Sequence, residues 1–167
     1  MPKIAILMGS KSDLPIVERA EAVLREFGVE CETRIVSAHR TPLAAAEFAS
    51  GAEERGIEAI IAAAGKAAHL AGVVAAHTAL PVIGLPIGSP TFCGLDALLS
   101  VVQMPKGVPV ATVAVDGAEN AGLLAVQILS LRYGGLRQRM KDYKEAMAKE
   151  TARLDEELQA GRAPQDR

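Results

Sequence analysis

A parallel α/β fold is the architecture this sequence predicts, and three observations carry that prediction. Short strand-like runs recur five times along the chain, four of them largely apolar. Most of these runs are apolar throughout rather than alternating, as in strands covered on both faces. Each is followed by apolar residues at helical spacing, with glycine, proline or hydroxyl residues at the junction, the order of a parallel sheet joined by helical crossovers.

The first run is Ile4 to Met8, closed by Gly9; Leu14, Val17, Ala20, Val23, Leu24 and Phe27 then recur at helical spacing until Gly28. The second is Cys31 to Val36, leading into a helix expected from Pro42 to Arg55, with Pro42 suited to a first helical turn and Gly56 to the end. The third strand is Ala59 to Ala63. It opens into the small residues Ala64 to Gly72, which permit close backbone approach to a ligand, and then a helix near Val73 to His77. Pro81 to Leu85 reads as the fourth strand, Gly84 to Cys93 as a loop, and Leu95 to Gln103 as a helix. Val108 to Val115 is the expected fifth strand, and Asn120 to Leu131 its helix.

The simplest arrangement is a flavodoxin-like three-layer α/β/α sandwich with a parallel sheet and an extra C-terminal helix. Its domain occupies residues 1–131. Beyond Tyr133-Gly134-Gly135 the composition turns to a charged helix, residues 132–160, with Leu136, Met140, Tyr143, Met147, Leu154 and Leu158 on one narrow stripe. Such a helix has too little apolar surface to stand alone, so it must dock on its own domain or a neighbouring subunit. Residues 161–167 are expected to form a disordered tail.

Length and charge narrow the function. With 167 residues, half of them apolar, the chain can build one substantial core. A net charge of -2 lacks the basic footprint of a nucleic-acid binder. No apolar run reaches the roughly 20 residues needed to span a bilayer, and the N-terminus enters a strand without a basic leader, so a cytoplasmic location is expected. Cys31 and Cys93 show no metal-ligand spacing and are expected to be buried, reduced packing residues.

Right-handed crossovers bring the strand-to-helix turns of such a sheet to one edge, where open α/β sheets bind ligands. Gly9-Ser10-Lys11-Ser12-Asp13 precedes a helix, whose free N–H groups and positive dipole end favour an anion. Ser12 or Asp13 could instead merely cap that helix, although Ser10 is not explained that way. In Ser37-Ala38-His39-Arg40-Thr41-Pro42, Ser37 and Arg40 add a hydroxyl and a guanidinium fork suited to phosphate, and His39 can exchange protons near neutral pH. His69, at a helix start, can line a site or satisfy a helix end; His77 reads as a surface or packing residue. Gly65-Lys66 is not a P-loop, because Ile60 and Ala67 stand where that motif needs glycine and a hydroxyl. No His, Cys or carboxylate set has catalytic-metal spacing, few aromatics are available to stack a flavin, and neither metal nor cofactor is expected.

The segments Met8-Gly9-Ser10-Lys11-Ser12-Asp13, Ser37-Ala38-His39-Arg40-Thr41-Pro42, Ala67-Ala68-His69-Leu70, Pro81-Val82-Ile83-Gly84, Gly94-Leu95-Asp96 and Val102-Gln103-Met104-Pro105 follow one another in order. Together with Gly107 to Thr112 and Asn120-Ala121, the set resembles the N5-carboxyaminoimidazole ribonucleotide mutases of purine biosynthesis and the related aminoimidazole ribonucleotide carboxylases. The resemblance implies a flavodoxin-like subunit of a homo-octamer, with the C-terminal helix reaching over a neighbour. It implies that Ser10, Asp13 and Arg40 bind the ribonucleotide, with Ser12 and Ser37 near phosphate and ribose. His39 would be the acid/base residue, and Gly65, His69 and Leu70 would surround the aminoimidazole and its carboxyl group.

The chemistry implied is loss of carbon dioxide from the exocyclic nitrogen and its recapture by imidazole carbon 4, with His39 serving both proton transfers. A closed lining of Ala63, Ala64, Gly65, Ala67 and Ala68 would retain the carbon dioxide. The chain departs from the mutase pattern at Lys66 and Ala71, where glycine and proline are usual, at Ala63, which replaces another glycine, and in a short loop around Val115 to Asn120. A basic residue at the Lys66 position is a feature of the carboxylase branch. Against these departures, Arg40-Thr41-Pro42 and Ala68-His69-Leu70 follow the mutase form, so the resemblance implies the mutase reaction; carboxylation by free carbon dioxide and a non-catalytic nucleotide-binding module are the alternatives.

Overall fold

A computed structural model describes residues 1–162 of the chain. Five parallel strands, β1 (Lys3–Met8), β2 (Glu30–Ile35), β3 (Ile60–Gly65), β4 (Val82–Ile87) and β5 (Ala111–Thr112), lie in the order β2-β1-β3-β4-β5. The helices are α1 (Leu14–Glu26), α2 (Pro42–Ser50), α3 (Leu70–Ala76), α4 (Leu95–Val102), α5 (Ala118–Leu129) and α6 (Gly134–Arg162), with a 3-10 turn at Lys11–Asp13. The fold is the flavodoxin-like sandwich expected.

Alternate residues of the central strands feed two separate cores. Ile4, Ile6 and Met8 of β1, with Ile61 and Ala63 of β3, pack under α1 and α5. Ala5 and Leu7, with Ile60, Ala62 and Ala64, face α2, α3 and α4. Ile4, Ile6, Leu7, Ile60 and Ile61 are fully buried; each such side chain contributes about 1.5–3 kcal/mol relative to an exposed one. α4 packs closely on the sheet at Gly84, where a Cβ would stand 2.2 Å from Val101 Cγ1 and 2.9 Å from Val110 Cγ1.

The two edges of the sheet differ from its centre. β2 is Glu-Cys-Glu-Thr-Arg-Ile, none of it buried, and Lys3 Nζ on β1 lies 3.5 Å from Glu30 and 3.4 Å from Glu32. At the far edge β5 is two residues long rather than the eight expected from Val108 to Val115. Pro109 has no N–H to donate, so pairing begins only at Ala111 opposite Ile83.

Other boundaries shift for identifiable reasons. The helix expected to reach Arg55 ends at Ser50, because Gly51 opens a series of short turns in which Ala52 bonds Ala49 and Arg55 bonds Ala52. β4 continues through Ile87 into the segment read as loop, paired with β3 as far as Gly65. α3 starts at Leu70, three residues before the expected Val73. Cys31 is half-buried, and desolvation pushes its thiol up to about 11. Cys93, expected in the core, is exposed in the β4–α4 loop at φ 51°.

α6 docks by its first turns only. Leu136 and Met140 join the core beneath α1 and α5, and Tyr143 meets the Phe27 ring edge-on at 5.8 Å. Arg139 donates to the Phe27 carbonyl at 3.1 Å and to that of Glu26, a cation at the negative end of α1. Further along, Met147, Leu154 and Leu158 are about half exposed, and the helix is laced by pairs such as Lys149–Glu145 and Arg153–Glu150, both at 2.7 Å. Gly161 and Arg162, assigned to a disordered tail, belong to α6; the rest of that tail lies outside the described residues.

Candidate active site

Parallel strands all present their carboxyl ends at one edge, and there a cavity of about 630 Å³ opens between four turns. The turn after β1 contributes Ser10, Ser12 and Asp13, and that after β2 contributes Ser37, His39 and Arg40. The turn after β3 contributes Gly65, His69 and Leu70. All nine residues singled out in the sequence therefore line one space, although up to 60 positions separate them. Lys66 and Ala67 complete the third turn, and Gly88, Ser89 and Pro90 form a fourth wall after β4. Among the alanines expected to line it, Ala64 and Ala67 do so, whereas Ala63 and Ala68 are packed in the two cores beneath.

The first turn is a hydroxyl-carboxylate chain. Ser10, rather than Ser12 or Asp13, caps the 3-10 turn by accepting from Ser12 N–H at 3.3 Å. Ser12 Oγ lies 2.9 Å from Ser10 Oγ and 3.2 Å from Asp13 Oδ1, and its one proton can serve only one of them at a time. Asp13 is buried, and desolvation raises its pKa above the ordinary carboxylate value; the Ser12 hydrogen bond, the backbone at Ser10 and the charge of Arg40 pull the other way.

The second turn is braced from within. Ser37 Oγ accepts from Arg40 N–H at 3.2 Å and from Arg40 Nε at 3.4 Å, while Thr41 Oγ1 accepts from Ser37 N–H at 2.9 Å. Arg40 Nη2 donates to the Gly9 carbonyl at 2.5 Å, tying this turn to the first. A guanidinium has five N–H donors, so further ones remain for a ligand. Arg40 and Lys66 set two cations against the one carboxylate of Asp13 in the lining, a balance that favours an anion.

His39 and His69 form the remaining pair. His39 Nε2 lies 2.8 Å from His69 Nδ1, with the ring centroids 4.9 Å apart at 76°. One of these two nitrogens carries the shared proton and the other accepts it, so each ring fixes the tautomer of the other. His69 occupies the N-cap position of α3 but makes no side-chain capping bond, which resolves its two readings in favour of the cavity. His77 is exposed on the surface.

The third turn depends on close approach. Gly65 pairs with Ile87, and a Cβ there would lie 3.1 Å from the Ile87 carbonyl oxygen. Lys66 follows at φ 56°, a left-handed conformation uncommon for a lysine. The sequence marks Lys66 as a departure from a family pattern and gives Ser89 no role. Neither has a signal in local spacing, since each is identified by its place on the cavity wall. Among the described residues, no group of three or more His, Cys, Asp or Glu is placed to hold a metal ion.

Comparison with known proteins gives concordant matches. The family model described as AIR carboxylase matches residues 3–150. The N5-carboxyaminoimidazole ribonucleotide mutase of Thermotoga maritima is 54% identical over 159 residues, which cover 95% of this chain and 93% of that protein. The protein of the same name from Pyrococcus abyssi is 58% identical over 147 residues, covering 88% and 84% respectively. The crystal structure of Treponema denticola PurE superposes with a TM-score of 0.85 at 32% identity, covering 95% of this chain and 99% of that one.

Proposed function

The chain belongs to the AIR carboxylase family, and from that premise we propose that it is an enzyme of purine biosynthesis, an N5-carboxyaminoimidazole ribonucleotide mutase. The reaction is an intramolecular carboxyl transfer that yields 4-carboxyaminoimidazole ribonucleotide. The observation that carries this reading is the convergence of hydroxyl, guanidinium, carboxylate and imidazole side chains on one cavity from turns far apart in sequence.

In the proposed mechanism the first two turns hold the ribonucleotide. Arg40, Ser10, Ser12 and Ser37 bind phosphate and ribose, and Asp13 accepts from a ribose hydroxyl. These contacts lie away from the reacting atoms and serve to orient them. The bond between the exocyclic nitrogen and the carboxyl carbon breaks, its electron pair stays on nitrogen, and His39 delivers a proton there. Carbon dioxide is left free in the cavity. Imidazole carbon 4 attacks it, and His39 takes back the carbon 4 proton, so the enzyme ends the cycle as it began. Gly65, His69 and Leu70 wall the reacting end. Leu70, Ala64 and Ala67 make that wall apolar and small, which supports retention of carbon dioxide by excluding water.

The same proposal includes a cytoplasmic location and a homo-octamer. Assembly is supported by an apolar stripe on α4, Leu95, Leu99 and Val102, each about half exposed, with Phe92 beside it; the number eight follows from the family resemblance. Residues 1–131 act as the catalytic domain and residues 132–160 as its helical extension.

The test is direct. Purified protein given the N5-carboxy ribonucleotide, without ATP or added bicarbonate, should form the 4-carboxy isomer. Turnover confined to aminoimidazole ribonucleotide plus bicarbonate would assign the carboxylase reaction instead. Binding without turnover of either would leave a nucleotide-binding module.

A further inference from the structure

The fourth wall of the cavity holds a polar atom that the mechanism above does not use. Ser89 lines the cavity, and its Oγ is buried without a hydrogen-bond partner among the described residues. Leaving a buried hydroxyl unpaired is unfavourable, and buried polar groups in folded proteins are nearly always paired.

The loop that carries Ser89 is firmly held. Gly88 N–H donates to Asp116 Oδ1 at 2.8 Å, and Asp116 N–H donates to the Pro86 carbonyl at 2.9 Å. Asp116 adopts φ 55°, Arg19 holds its carbonyl, and a Cβ on Gly88 would stand 2.7 Å from Asp116 Oδ2. The backbone leading into Ser89 is thus held at Gly88, and the hydroxyl itself turns about one torsion of three staggered wells to reach a ligand.

Strand order gives that ligand group its identity. β4 lies beyond β3 from the turns that hold Arg40 and Ser37, so Ser89 sits next to the Gly65 turn, at the end of the cavity remote from the guanidinium. On the functional reading above, on which this inference rests, that end receives the imidazole and its carboxyl group. A carboxylate accepts from a hydroxyl more strongly than a neutral acceptor does.

We propose that Ser89 is a substrate-binding residue whose hydroxyl donates a hydrogen bond to the carboxylate on the imidazole. It selects carboxylated over uncarboxylated ribonucleotide and transfers no proton.

The experiment compares the intact protein with Ser89→Ala in calorimetric binding of 4-carboxyaminoimidazole ribonucleotide and of aminoimidazole ribonucleotide. The substitution should weaken the carboxylated ligand about 10- to 100-fold, the range for a hydrogen bond to a charged group. Affinity for the uncarboxylated ligand should change less than about twofold. The ligand-free variant should melt no lower than the original protein, because alanine removes an unpaired hydroxyl. Equal changes for both ligands, no change for either, or a lower melting temperature would overturn the assignment. If the original protein binds neither ribonucleotide, the functional reading itself fails; if it binds both and the variant discriminates as well, only the role of Ser89 does.

Discussion

Replacing His69 with Ala removes the partner of His39 Nε2, 2.8 Å away, and leaves the brace around Ser37, Arg40 and Thr41 untouched. The rings meet at 76°, so His69 holds His39 by a directed hydrogen bond rather than by stacking. A hydrogen bond of this kind contributes about 0.5–1.5 kcal/mol net. If all of that is spent on orienting His39 for proton transfer, kcat should fall about 2- to 13-fold, at tenfold per 1.36 kcal/mol. His39→Asn removes the proton carrier itself and should lower kcat by roughly 10²- to 10⁴-fold. The double variant then discriminates: with no imidazole left to orient, adding His69→Ala to His39→Asn should lower kcat by less than His69→Ala does alone, what remains being its part in the cavity wall. The assay is conversion of the N5-carboxy to the 4-carboxy ribonucleotide by each of the four proteins. A double variant slower than His39→Asn by the full factor seen for His69→Ala alone would show that the two histidines act independently, and the positioning argument would be wrong.

Two further predictions concern what the site and the fold cost in stability. Burial raises the pKa of Asp13, so between the unfolded value of about 3.9 and the raised folded value the native state binds more protons than the unfolded state, and stability falls as pH rises through that window. Asp13→Asn should therefore raise Tm at pH 7, with the gain fading below about pH 4, while weakening ribonucleotide binding; a lower Tm at pH 7 in calorimetry would contradict this. Gly84→Ala places a Cβ 2.2 Å from Val101 Cγ1 and should destabilise by about 1–3 kcal/mol in urea unfolding. Adding Val101→Ala should cost less than the sum of the two single changes, and strict additivity would refute the clash.

The turns of the site were legible because each is marked twice, by the end of an apolar run and by hydroxyl or charged residues at a helix start. Met8-Gly9-Ser10 and Val36-Ser37 are of this kind, and parallel topology then obliges them to meet. The hydrogen bond between His39 and His69 had no such mark, since it joins side chains 30 residues apart whose directions depend on how β3 and β2 flank β1. Ser89 was invisible for a related reason: an isolated serine in a loop resembles any other until its surroundings fail to pair it. The fifth strand is shorter than its composition predicts because apolar Val108 and Val110 suit a strand but Pro109 between them cannot join a ladder. Cys93 departs from the burial usual for cysteine because it stands in a surface loop, with a left-handed backbone.

The two sheet edges have a consequence for how this chain meets others of its kind. An open edge is a template for a further strand, and a long flat one invites fibrous growth. Here one border, β2, carries Glu30, Glu32 and Arg34, with Glu30 and Glu32 drawn to Lys3, and the other is only two residues long. Charged side chains guard the first edge, and the second is too short to offer an incoming strand a ladder. Growth of the sheet by added strands is thereby disfavoured at both borders.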